Sequence, residues 1–134
     1  ILTPHPAELA RLCGVTVGEV MSDRLGSAYR LSEKYGVTVL AKSADTFAVD
    51  GGKVYLCTEG TTALAKGGSG DMLAGIVSSY VAQGCDALDA AALGSFTLGS
   101  TALLAGYKRS ERGIIARDVI DALPRFLYDL ENAD

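Results

Sequence analysis

The run Ala65-Lys66-Gly67-Gly68-Ser69-Gly70-Asp71-Met72-Leu73-Ala74-Gly75-Ile76 constrains this chain more than any other stretch. Three glycines and a serine lead directly into an apolar helical pattern, with one carboxylate at the junction. Such a loop lets backbone N–H groups converge on an anion at a helix N-terminus, where the macrodipole also favours negative charge. Glycine permits the close approach and the positive φ that such turns use. An acidic side chain inside an anion cradle repels the anion, unless Asp71 takes a proton from a hydroxyl that then attacks a phosphoryl group. The same run also reads as a strand-to-helix loop whose glycines allow tight packing and whose Asp71 caps or charges the first turn.

The 134 residues suffice for one domain with a sizeable core, and 49% hydrophobic with 21% charged residues is a globular composition. A net charge of −4 with no basic stripe argues against a nucleic-acid or membrane-surface partner. The longest uncharged run, Ala90 to Gly106, is rich in Ala, Gly, Ser and Thr and is expected to be a buried helix, not a membrane span. Cys13, Cys57 and Cys85 are scattered, odd in number and without CxxC spacing, which suits thiols in a reducing cytoplasm. One histidine and no paired cysteines leave no zinc site, and no metal ligand is assigned.

The elements alternate helix, strand and helix. Pro6 opens a short helix that Gly14 ends. Thr16-Val17-Gly18-Glu19 is a capping box for a helix running to about Tyr35, closed by Gly36. Val37–Ala41 suits a buried parallel strand. Thr46–Val49 and Val54–Cys57 flank Asp50-Gly51-Gly52-Lys53, a hairpin signal. Two apolar helices, about 71–83 and 86–106, follow the glycine loop; the second carries Ser95, Gly99 and Ala102, small enough to approach a neighbouring helix or subunit closely. A last helix from about Asp118 meets Pro124, which is expected to end or kink it. No linker or repeat interrupts 1–134, so the chain reads as a single α/β domain.

The chain opens Leu2-Thr3-Pro4-His5-Pro6-Ala7-Glu8-Leu9-Ala10-Arg11-Leu12. Taken with the later GGSGDMLAGI, this resembles the ribokinase-like NAD(P)H-hydrate dehydratases, the ADP- or ATP-dependent nicotinamide-nucleotide repair enzymes. Gly51–Tyr55 and Ala116–Pro124 are similar to that family as well, so the resemblance runs the length of the chain. It implies a ribokinase-like layered α/β fold. That family carries the TPHP segment near the middle of its catalytic domain, so the chain is expected to be the C-terminal half of a domain about twice as long, with the N-terminal half missing.

The resemblance also implies roles residue by residue. Asp71 matches the aspartate that activates the substrate hydroxyl for phosphorylation, and loss of the phosphate then dehydrates the hydrated nicotinamide ring. Backbone N–H groups of Gly68, Ser69 and Gly70 would hold the transferring phosphoryl group. His5 matches the histidine lying against hydrated NAD(P)H, although a histidine between two prolines can equally be structural. Lys42, Ser43, Ala44, Asp45 and Thr46 fall where the family lines the adenine nucleotide; Lys42 follows an apolar strand, at the edge where open α/β sheets bind ligands. ADP or ATP is the expected phosphoryl donor, with Mg2+ on its phosphates. A homo-oligomer, a tetramer by resemblance, or a complementing N-terminal half is the expected partner, and the cytoplasm the expected location. Ser43 stands in place of the family's usual glycine, Glu59-Gly60-Thr61-Thr62 in place of Gly-Asn-Pro-Gly, and Leu98 in place of a histidine. Lys66 replaces a usual threonine and is expected to add charge beside a phosphate. The alternatives are a small-molecule kinase on the same scaffold, for a vitamin precursor or sugar, and a non-catalytic fragment.

Overall fold

The computed structural model describes residues 1–133. Helix α1 (Pro6–Cys13) starts on His5 with Pro6 in its first turn and stops at Gly14, whose φ of +74° is left-handed. The helix expected from Thr16 to Tyr35 is instead two, α2 (Val17–Ser22) and α3 (Arg24–Tyr35). The break falls at Asp23, extended at φ −149°, whose carboxylate accepts the Gly26 N–H at 2.9 Å. Ser22 hydrogen-bonds back to the Glu19 carbonyl at 2.8 Å, so two short polar side chains compete with the helix for its backbone groups.

Strands β1 (Val39–Ala41), β2 (Thr46–Asp50) and β3 (Lys53–Cys57) form one sheet in that order. β1 is the buried strand expected, but toward β2 its pairing is antiparallel, Leu40 opposite Ala48. The connection between them is too short for the crossover that parallel neighbours need. On its other edge β1 does run parallel to the opening residues. Leu2 N–H donates to the Thr38 carbonyl at 2.9 Å, Leu40 N–H to Leu2 at 2.7 Å, and Lys42 N–H to Pro4 at 2.9 Å. Between β2 and β3, Gly51 and Gly52 both take positive φ, the geometry of a two-residue hairpin loop.

Alternation along the strands divides the core in two. Val39, Ala41 and Val49 pack with Leu9, Val20, Ala28 and Leu31 of α1–α3 on one face of the sheet. Leu40 and Ala48 face the opposite layer, made by α4 (Ser69–Ala82), α5 (Ala87–Gly106) and α6 (Ala116–Glu131). Helix α5 is long and apolar enough to cross a membrane by length and composition, but it is the central helix of this layer, with Ala90, Ala91, Leu98 and Ala102 buried against its neighbours. Its glycines fit specific partners: Gly94 meets Val77 of α4, and Gly99 meets the backbone of Glu59, a turn of the same chain and not another helix. Helix α6 continues through Pro124. The carbonyl one turn back belongs to Ile120, which is 54% exposed, so water can take the bond that proline cannot donate. Two 310 turns, Thr62–Leu64 and Glu111–Gly113, flank the entry to α4 and α6.

Candidate active site

A cleft of about 1190 Å³ opens where residues 5–6 and the chain leaving β1 meet the loop before α4. His5, Lys42, Ser43, Ala44, Thr46, Gly68, Ser69, Gly70 and Asp71 all line it. Asp45 does not; its carbonyl is held on the outside by Arg24, whose guanidinium donates to it at 2.8 Å and lies 5.2 Å over the Phe47 ring. A smaller cavity of about 520 Å³ between β3 and α5, around Tyr55 and Phe96, contains none of the expected residues.

The glycine loop enters α4 with Gly68 as N-cap at φ +91°. A side chain is strained there whatever the space. Gly68 has no side-chain oxygen, so no cap hydrogen bond satisfies the first turn. Ser69 N–H reaches the Lys66 carbonyl at a long 3.4 Å. The N–H groups of Gly68 and Gly70 have no acceptor among the described residues. Orphan donors at a helix start are the groups that take an anion. Asp71 follows as the third residue of the helix. It is exposed, makes no cap hydrogen bond and has no ion-pair partner among the described residues. Of the two structural roles that the sequence left open, it does not cap the helix but does place a negative charge in its first turn.

Opposite this loop stands Lys42. Its Nζ lies 3.8 Å from where a Cβ on Gly70 would sit, so the ammonium borders the orphan N–H groups. It also lies 4.0 Å from Glu8. Glu8 ties His5 into the same corner: its carboxylate accepts the His5 N–H at 2.8 Å and meets the imidazole Nε2 at 3.2 Å, while His5 Nδ1 accepts the Glu8 N–H at 3.3 Å. His5 is thus both the cap of α1 and a wall of the cleft. The bond from the His5 N–H, helped by the nearby charges of His5, Lys42 and Arg11, holds the Glu8 carboxyl below the usual glutamate range. Thr46 is buried, and its hydroxyl accepts the Ser43 N–H at 3.3 Å and donates to the Ser43 carbonyl at 3.2 Å. Its place in the cleft wall shapes the loop and leaves the hydroxyl no hydrogen to donate to a ligand.

Lys66 behaves differently from expectation. Its ammonium turns to backbone carbonyls of residues 111–114. The lysine expected to add charge beside a phosphate is already engaged, which leaves Lys42 as the cation facing the glycine loop. Sequence reasoning passed over Glu8, Arg24 and Glu111. Glu8 was findable, because His5 and Glu8 have capping-box spacing. Arg24 and Glu111 act on residues more than twenty positions away, and no local pattern marks them.

The family model for NAD(P)H-hydrate dehydratase matches residues 1–125. The chain belongs to the NAD(P)H-hydrate dehydratase family. It is 39% identical over 127 residues to the bifunctional NAD(P)H-hydrate repair enzyme Nnr of Vibrio cholerae, across 95% of this chain and 26% of that protein. The ADP/ATP-dependent NAD(P)H-hydrate dehydratase of Bacillus subtilis, co-crystallized with ATP/Mg2+ and soaked with CoA, superposes with a TM-score of 0.89 at 30% identity, covering 95% of this chain and 47% of the other. A ribokinase-like superfamily protein of Enterococcus faecalis superposes with a TM-score of 0.82 at 25% identity, over 95% of this chain and 43% of that one. The α/β fold is thus the ribokinase-like one. The chain spans about a quarter of the length of the Vibrio relative and about half of the solved structures.

Proposed function

We propose that this chain carries the phosphoryl-transfer centre for ADP- or ATP-dependent dehydration of hydrated NAD(P)H. One observation carries the reading: an Asp71 carboxylate without an ion-pair partner among the described residues stands one residue beyond the Gly70 N–H, which has no acceptor among them, with the Lys42 ammonium beside that glycine. Donors for a phosphate and a base for a hydroxyl are thus in one corner. Family membership supports the choice of substrate.

In this reading Gly68 and Gly70 donate to the terminal phosphoryl oxygens, and Lys42 offsets their charge. Fixed dipoles of this kind need no reorganisation as charge develops. Asp71 accepts the proton of the substrate hydroxyl while that oxygen attacks phosphorus and the bond to the nucleotide breaks. The ring carbon–oxygen bond then breaks, phosphate departs with the oxygen, and the adjacent ring carbon loses a proton to restore the double bond. Hydrated NAD(P)H and ATP become NAD(P)H, ADP and phosphate; with ADP as donor, AMP is left. Among the described residues no three His, Cys, Asp or Glu side chains gather to cage a metal. In this reading Mg2+ would be carried by nucleotide phosphates and water, where it would neutralise phosphate charge. His5, which lines the same cleft, borders the hydrated nicotinamide in this reading. The remaining wall is supplied by a segment outside these residues or by further copies in a homo-oligomer; the share of the solved relatives that this chain spans supports such a completion.

The test is turnover of hydrated NADH with ADP or ATP, followed by the return of reduced nicotinamide absorbance. Asp71→Asn is expected to lower the rate by about a hundredfold or more, with nucleotide affinity nearly unchanged. Loss of rate and affinity together contradicts the base assignment. A phosphorylated product that accumulates without dehydration would instead favour the small-molecule kinase.

A further inference from the structure

Lys66 precedes the glycine loop, yet its ammonium is held by the carbonyls of one short turn: Glu111 at 3.2 Å, Arg112 at 3.5 Å and Ile114. The carbonyls of Arg112 and Ile114 accept no backbone donor among the described residues. A cation among converging carbonyls satisfies groups that would otherwise repel one another. A second tie joins the same two segments, since the Thr62 hydroxyl donates to the Glu111 carboxylate. The turn is anchored in the core on its far side, where Ile114 is 1% exposed. The chain leaving the turn passes beside the phosphate loop: a Cβ on Gly68 would lie 3.6 Å from the Ala116 side chain.

We propose that Lys66 is a positioning residue whose ammonium locks the 111–114 turn against the entry to the glycine loop and so holds Gly68 and Gly70 in phosphate-binding geometry. This rests on the reading of the cleft given above. It assigns the two lysines of the cleft separate tasks: Lys42 meets the phosphate, and Lys66 sets the loop that does. Without the ammonium, the Arg112 and Ile114 carbonyls turn to water, the turn loosens and the loop loses its support.

The experiment compares wild-type chain with Lys66→Ala by amide hydrogen exchange at Gly113 and Ile114 and by ADP titration. Each is run in sodium chloride and in ammonium chloride at equal ionic strength. Exchange at both amides is expected to quicken about tenfold and ADP affinity to fall by about the same factor, the scale of one charge-assisted hydrogen bond. Ammonium, filling the carbonyl cage, is expected to restore both; sodium is not. Unchanged exchange overturns the lock, and faster exchange with unchanged ADP affinity overturns the positioning role. If Lys66→Ala does not fold, Thr62→Val removes the second tie and is expected to quicken the same amides; no change there overturns the lock. The exchange readout needs no nucleotide. A wild-type chain that binds no ADP therefore refutes the reading of the cleft, while the lock is still decided at Gly113 and Ile114.

Discussion

Replacing Gly99 by alanine tests how α5 seats the cleft. A Cβ at Gly99 would stand 2.3 Å from the Glu59 carbonyl oxygen and 2.6 Å from its carbon. Even favourable carbon–oxygen contacts begin at roughly 3.3 Å, so the turn must retreat by about 1 Å. Both atoms are backbone, and no rotamer change relieves them. Forced overpacking of this kind costs about 1–3 kcal/mol, against a gain of about 1 kcal/mol from alanine's helix preference. The net loss of up to about 2 kcal/mol corresponds to a fall in Tm of up to roughly 8 °C for a chain of this size. Gly75→Ala is the matched control: it lies within α4, and a Cβ there meets nothing within 4 Å. It is expected to raise Tm by a few degrees, roughly the helix-propensity gain alone. Thermal unfolding of both variants by circular dichroism decides the matter. Gly99→Ala is expected to melt below Gly75→Ala, and melting as high as that control refutes the close approach. Glu59 and Gly60 line the cleft, so the same variant is expected to weaken nucleotide binding while Gly75→Ala leaves it unchanged.

Two further outcomes are expected. Lys42→Met should weaken ADP binding about tenfold, one partly exposed charge-assisted contact, and flatten its salt dependence; titration calorimetry showing less than a twofold change would contradict the phosphate role. Glu8 and Glu19 are held below their ordinary pKa of 4.5, Glu8 chiefly by the His5 N–H and Glu19 by the hydroxyl and N–H of Thr16. A depressed folded-state value means that their support is complete above 4.5 and is lost as pH falls through the lower, folded-state values. Acid titration of stability should therefore drop below that pH, and Glu8→Gln with Glu19→Gln should shrink the drop; an unchanged acid limb would remove the capping boxes from the account.

Features set by neighbours in sequence were legible from the start. The Gly14 stop of α1, the cap at Thr16, the paired glycines of the hairpin and the glycine-loop entry to α4 each depend on residues within one turn, and the structure has all of them. Nine of the ten expected site residues line one cleft, because three segments far apart in the chain, around 5, 42–46 and 68–71, converge at one end of β1. Long-range choices were not legible. Lys66 looks like a phosphate ligand by position, but its partners come 45 to 48 residues later. Asp45 belongs to a loop that faces the cleft, yet its carbonyl is pulled outward by Arg24 from the preceding helical layer. A helical pattern continues through Asp23, and the competition of the Ser22 hydroxyl and the Asp23 carboxylate for backbone groups breaks the helix there.

Amide NMR of the chain during an ADP titration tests the central claim most directly, namely that the glycine loop is the phosphate site. The largest shifts are predicted at Gly68, Gly70 and Asp71, with smaller ones at Ser43 and Ala44. Shifts confined to the cavity around Tyr55 and Phe96, or none at saturating ADP, would contradict it.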